Sequence, residues 1–217
     1  MPLKPVLATS PFEKWGLYFI GPINPPSSAG HIFILTITDY FSKWSKAVTL
    51  KNARDKQVIN FLQETIFSCF GFPVSIISDN GPTFISAKCL KFCDNLNIKN
   101  FLSSSYHPKG NRFFESTNIK LIKILKKIIQ DKPHQWHLNL AYALWADITT
   151  TKSSIGTTPL QLLFGQHVVL PIELHLTSFR LAFQQGELEE PHLKHKFHTL
   201  LDLDEQRIIL FSNYFVT

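Results

Sequence analysis

Two carboxylates at a fixed interval are the residues of this sequence best suited to chemistry. Asp79 stands in Ile76-Ile77-Ser78-Asp79-Asn80-Gly81, and Glu115 follows after thirty-five intervening residues. Hard divalent cations need converging carboxylates. A pair of Mg2+ ions about 4 Å apart can activate water or a hydroxyl and stabilise the leaving oxygen of a phosphodiester. Each residue alone has a plainer reading: Asp-Asn-Gly is a common turn, and a Glu in the first turn of a helix is favoured by the helix dipole in any protein. Together they are more specific, because a strand end and a helix start deliver side chains to the same edge of an α/β sheet.

The elements that must position them follow from periodicity. Residues 1–11, with three prolines, read as a linker. Trp15–Ile20 and His31–Thr38 are aromatic and β-branched runs separated by the turn-rich stretch 21–30, which makes a hairpin with a long loop, and Ser45–Leu50 is a third strand. If the hairpin turns near Pro26, Tyr18 lies opposite about Ile34. From Asp55 to Phe70 the spacing becomes helical, with Val58, Phe61, Leu62, Ile66 and Phe70 on one face and Gly71 ending the helix. Val74–Ser78 is a short buried strand, Ser86–Leu96 a helix and Ile98–Leu102 another strand. The polar stretch Ser103–Arg112 reads as a loop, so that Glu115 opens a long helix to about Gln130, followed by a helix from His134 to about Thr150 and two more beyond. Three antiparallel strands followed by alternating helix and strand predict a five-stranded mixed sheet flanked by helices.

On the long helix, Lys120, Lys123 and Lys127 fall on a stripe away from the apolar face. A lysine row is ordinarily a solvated face, but beside a carboxylate site it is also where a phosphate backbone would be held. The net charge of +6 agrees with a polyanion partner without requiring one. The three cysteines, an odd number, argue against a disulfide framework and for an intracellular, reducing setting. Cys89 and Cys93 lie four apart among apolar neighbours and read as core thiols rather than zinc ligands. The four tryptophans read as core or interface aromatics. No apolar run approaches the ~18 residues of a membrane span.

Seven blocks in order carry a family resemblance: Trp-Gly-Leu-Tyr-Phe-Ile-Gly-Pro from Trp15, Thr-Asp-Tyr-Phe-Ser-Lys-Trp from Thr38, Ile-Ile-Ser-Asp-Asn-Gly-Pro from Ile76, Tyr-His-Pro-Lys-Gly-Asn from Tyr106, Glu-Ser-Thr-Asn from Glu115, Ala-Leu-Trp-Ala from Ala143 and Leu-Pro-Ile-Glu-Leu from Leu170. Over about Phe12 to Arg180 the sequence resembles the integrases of gypsy-type LTR retrotransposons, relatives of retroviral integrases. The resemblance implies an RNase H-like catalytic core at 12–165 and a helical, truncated extension at 166–217. It implies DNA integration by metal-dependent 3′-processing and strand transfer, Mg2+ or Mn2+ as cofactor, retroelement ends and target DNA as partners, and a homo-oligomer. No membrane or small-molecule substrate is implied, and a working copy would be nuclear. The family's second and third acidic positions fall on Asp79 and Glu115, and Asn118 and His107 join the three lysines as nucleic-acid contacts. The zinc-binding and basic domains that flank the core in such integrases are not recognised, and the apolar end Arg207–Thr217 reads as truncated or frame-shifted.

One position departs from the pattern. Where the family's first Asp belongs the chain has Tyr18, whose phenol, with an ordinary pKa of about 10, is neutral at pH 7 and a poor Mg2+ ligand. Asp39 is not placed to replace it, being roughly 16 Å further along at ~3.3 Å per residue on the register above. Arg112-Phe113-Phe114 and Ile148 also depart from the family. The expectation is an integrase core with weakened metal binding and impaired chemistry. The alternatives are a catalytically dead relic that only binds nucleic acid or oligomerises, and a different RNase H-like nuclease or transposase, against which the seven blocks argue.

Overall fold

Alternation along the first apolar run sends Trp15 and Leu17 to one side of a strand and Tyr18 to the other, and three such runs in succession build a sheet with two different faces. The computed structural model describes residues 8–102, 108–129 and 132–165, with the backbone alone for 108–116. The chain divides into two compact units, 1–150 and 151–217. The linker residues 1–7, His107 and the extension 166–217 lie outside the described residues.

Strands β1 (Lys14–Ile20), β2 (Phe33–Asp39), β3 (Ser45–Leu50), β4 (Ser75–Ser78) and β5 (Lys99–Leu102) form one five-stranded sheet in the order β3-β2-β1-β4-β5. The first three are antiparallel, while β4 and β5 run parallel to β1 and to each other. The mixed sheet is therefore the one predicted. Its helices are α1 (Asp55–Phe61), continued by a π-helical stretch Leu62–Phe67 into α2 (Ser68–Phe70), then α3 (Ala87–Asn95), α4 (Pro108–Ile128) and α5 (Trp136–Ile148). In the second unit, α6 (Pro159–Phe164) starts at a proline behind Thr158, whose hydroxyl accepts from the Gln161 amide, and ends at left-handed Gly165.

Each face of the sheet has its own cover. Leu17 and Ile76 line one small cavity with Val58, Leu62, Cys89 and Cys93, so the α1 and α3 side closes over one face. Both thiols are buried, and burial pushes Cys93 up to about 11. On the opposite face Ile34 packs with Leu121 and Leu125 of α4 and with Trp136, Leu140 and Ala143 of α5. Full burial of such side chains stabilises by roughly 1.5–3 kcal/mol each, which fixes α4 and α5 over the sheet. Trp15, Trp44 and Trp136 are core residues, whereas Trp145 is exposed. Ile128, in phase with the apolar stripe, is also exposed because it lies in the last turn of α4.

Two sequence expectations need correction. The long helix begins at Pro108 within the expected loop, because proline's fixed φ suits a first helical position where no N–H is needed. Glu115 is then the eighth residue of α4 rather than part of its first turn, and the dipole argument for it lapses. The β1–β2 register is also shifted: Tyr18 pairs with Thr36, not Ile34, and Asp39 pairs with Trp15. Asp39 therefore lies only three residues from the level of Tyr18, or about 10 Å along the strand.

Candidate active site

Parallel pairing of β1 with β4 sets the geometry of the site. Gly16 pairs with Ile77 and Leu17 with Ser78, so the next step brings Tyr18 level with Asp79 on neighbouring strands. The position where a first carboxylate is expected is thus beside the second, as the chemistry requires. What stands there is a phenol, and it is only 6% exposed. Its hydroxyl faces Tyr40. Burial, together with the Tyr18 hydroxyl, pushes the Tyr40 phenol far above its ordinary range. Tyr18 is therefore a neutral core side chain.

Asp79 is partly buried where β4 ends, and its Oδ1 accepts the Gly81 amide at 2.9 Å. The turn reading and the site reading of Asp-Asn-Gly are both satisfied, because one carboxylate oxygen closes the turn and so fixes the other in direction. Gly81 is required for this arrangement: a Cβ built there would lie 2.8 Å from Asp79 Oδ1.

Helix α4 is tied to the same level of the sheet through a residue that the sequence did not single out. The buried Thr36 hydroxyl lies 3.1 Å from Asn118 Oδ1 and 3.3 Å from the Tyr18 carbonyl, and donates its proton to one or the other. Asn118 is therefore turned to the sheet beside Tyr18 and not simply out to solvent. Glu115 lies one helical turn before it, with a side chain outside the described residues. Lys120, Lys123 and Lys127 are exposed, on the side of α4 away from buried Leu121 and Leu125.

Thr36 and Tyr40 are the residues that sequence reasoning missed. With the correct register, Thr36, Thr38 and Tyr40 fall on the Tyr18 face by simple alternation. The same register takes Asp39 to the other face, where it is fully buried with its carboxylate accepting from the Phe12 amide and from the amide and hydroxyl of Ser42. Its carboxylate is not presented on the Tyr18 face. Burial pushes Asp39 up, and burial of the neighbouring Lys43 lowers that ammonium to about 8.

Comparison with known proteins gives this site a family. The integrase core domain family matches residues 8–108. Residues 8–108 belong to that family. The Gag-Pol polyprotein of avian reticuloendotheliosis virus is 29% identical over 160 residues, covering 74% of this chain and 14% of the polyprotein. The chain thus spans about a seventh of that relative. Among solved structures, the magnesium complex of the HTLV-2 integrase catalytic core domain in its trimeric form superposes with a TM-score of 0.56 at 24% identity, over 70% of this chain and 95% of the other. The simian T-cell lymphotropic virus intasome with PP2A regulatory subunit B56 gamma gives a TM-score of 0.65 at 23% identity, over 78% of this chain and 61% of the other. These two likenesses show the fold: the mixed sheet with flanking helices is that of the integrase catalytic core.

The described residues supply only part of a divalent-metal donor set, the Glu115 side chain lying outside them. Among the described residues no group of three or more His, Cys, Asp or Glu side chains is placed to hold an ion. The first position offers a buried neutral phenol turned onto Tyr40, and Asp79 has committed one oxygen to the Gly81 amide. A two-ion arrangement needs carboxylate oxygens from several elements, and among the described residues Tyr18 contributes none.

Proposed function

We propose that this chain is the catalytic core of a retroelement integrase of the gypsy-type LTR retrotransposon kind, acting with DNA in integration, and that Tyr18 leaves its strand-transfer chemistry impaired. The observation that carries the reading is the register that sets Tyr18 beside Asp79, the geometry of an acidic pair with a phenol in one place. Asp79 and Glu115 are left to hold Mg2+ or Mn2+ with weakened affinity; a bound ion would supply Lewis-acid polarisation of a phosphodiester. The domain runs from about residue 12 to 165.

The exposed row Lys120, Lys123 and Lys127 supports a sequence-independent hold on DNA phosphates. Asn118, kept beside Tyr18 by Thr36, and His107 sit on either side of Glu115 in sequence and complete the nucleic-acid contacts of this proposal. A homo-oligomer is part of the same reading. Leu138, Tyr142 and Trp145 form an exposed apolar stripe on α5, and the HTLV-2 core was solved in dimeric and trimeric forms.

The second reading is a core that binds nucleic acid without any chemistry, and the burial of Tyr18 against Tyr40 favours it. Calorimetric titration with Mg2+ and Mn2+, beside a strand-transfer assay, separates the two. Weak metal binding abolished by Asp79→Asn, with residual activity, supports the impaired enzyme. Metal binding and activity both unaltered by that change would overturn the site.

A further inference from the structure

The loop between β1 and β2 is held to the start of α5 by contacts that run through three histidines. The Ser28 amide donates to the His134 carbonyl at 2.8 Å, His134 Nδ1 lies 2.9 Å from the Pro26 carbonyl, and the Trp136 indole N–H donates to the Pro25 carbonyl at 3.2 Å. Within the loop, Ser27 Oγ accepts the His31 amide at 2.9 Å and lies 3.1 Å from His31 Nδ1. The His31 ring then meets α5 directly, 5.4 Å between centroids from His137 and 6.5 Å from Trp136.

Among the described residues, the charged partners of His31 at this contact are of one sign when protonated. His31 faces His137 from α5 and Lys51 from just beyond β3, with His134 on the short helix before α5. The ion pairs seen among the described residues, Lys14 with Glu13 and Lys88 with Asp55, lie elsewhere. His137 Nδ1 is buried and meets no hydrogen-bond partner among the described residues. A proton added to the half-buried His31 ring therefore brings a cation against the His137 imidazole and toward Lys51.

We propose that the His31–His137 contact is an acid-released clasp, which docks the β1–β2 loop on the start of α5 while the His31 imidazole is neutral and lets it go when that ring is protonated. Burial, followed by His137 and Lys51, holds the His31 imidazole below its ordinary range, so the undocked loop takes up a proton at higher pH than the docked one. Stability of the docked state is full above the ordinary imidazole pKa of about 6.5 and is lost as pH falls below it. Release also reaches further. Trp136 packs with Leu121 and Leu125, so freeing the loop that holds its indole loosens the support of α4. The clasp does not depend on the function proposed above.

The test is histidine ring titration by NMR with hydrogen exchange of the full chain from about pH 7.5 to about pH 5, the range over which imidazoles charge. His31 should titrate below a histidine of the unfolded chain. Protection of the Ser28 amide and the Trp136 indole should fall about tenfold for each pH unit separating the two midpoints, corrected for intrinsic rates. Amides of the β1–β2 ladder should keep theirs. His137→Gln should raise the His31 midpoint and flatten the loss of protection. Lys51→Met, at an exposed position, should do the same in smaller measure should the first variant fold poorly. A His31 midpoint at or above the unfolded value, no local loss of protection, or a loss shared by the whole ladder and unchanged in Lys51→Met would each overturn the clasp.

Discussion

Tyr18→Asp is the substitution whose consequences the structure defines most fully. It exchanges a buried ring for a carboxyl, and emptying a core aromatic site costs about 3–5 kcal/mol. The new carboxylate would stand level with Asp79 on the adjacent strand, at about 5 Å across a sheet. Two like charges at that distance repel by roughly 3 kcal/mol at an effective dielectric constant of about 20. The metal-free variant should therefore be less stable than the parent at neutral pH. A divalent ion shared by the pair reverses the repulsion, and ~10 mM Mn2+ at a dissociation constant of ~1 mM returns about 1.4 kcal/mol. Thermal melts should show Mn2+ raising the Tm of Tyr18→Asp by more than it raises that of the parent. In a disintegration assay, which asks least of flanking domains, the variant should gain on the order of a hundredfold, equivalent to about 2.7 kcal/mol of transition-state stabilisation. Robust activity of the parent chain, abolished by Asp79→Asn, would show that another group completes the site and would refute this account of Tyr18.

Four further outcomes follow from particular contacts. Lys120→Ala with Lys123→Ala should weaken DNA binding and reduce the salt slope by about two contacts' worth, at ~0.9 per phosphate neutralised, in fluorescence titrations over a range of salt. Gly81→Ala places a methyl 2.8 Å from Asp79 Oδ1 and should cost about 1 kcal/mol through the lost turn hydrogen bond, read from urea denaturation. Thr36→Val removes the hydroxyl that meets Asn118 and should destabilise by about 1–3 kcal/mol, with faster exchange in the middle of α4. For Lys43, the folded value near 8 lies below the ordinary 10.5, so between those pH values the unfolded chain holds a proton that the folded chain has lost. The stability of the parent relative to Lys43→Met should rise with pH across that window; a flat or falling difference counts against the buried ammonium. Comparison with the variant is needed because burial raises Cys93 and gives that thiol the opposite pH dependence.

The sequence by itself determined the elements and their type, because apolar periodicity is local. Ser45–Leu50 is a strand to the residue, and the mixed five-stranded sheet follows from the element order. Motif spacing likewise marked Asp79 and Glu115, while the departure at Tyr18 came from the resemblance to the integrase family. Pairing register is not local: it depends on how a twelve-residue connection between β1 and β2 is used, and the expected pairing was two residues out. That shift decides which side chains meet Tyr18, and so hid Thr36 and Tyr40. The start of α4 was missed for a related reason, since Pro108 and Gly110 read as loop residues until packing of Leu121 and Leu125 against Ile34 supplies the stability of the helix. Alternation already set Asp39 on the face away from Tyr18, but only the tertiary structure supplied its partners, the Phe12 amide and the amide and hydroxyl of Ser42, because those contacts depend on how the chain before β1 and the turn after β2 fold onto it.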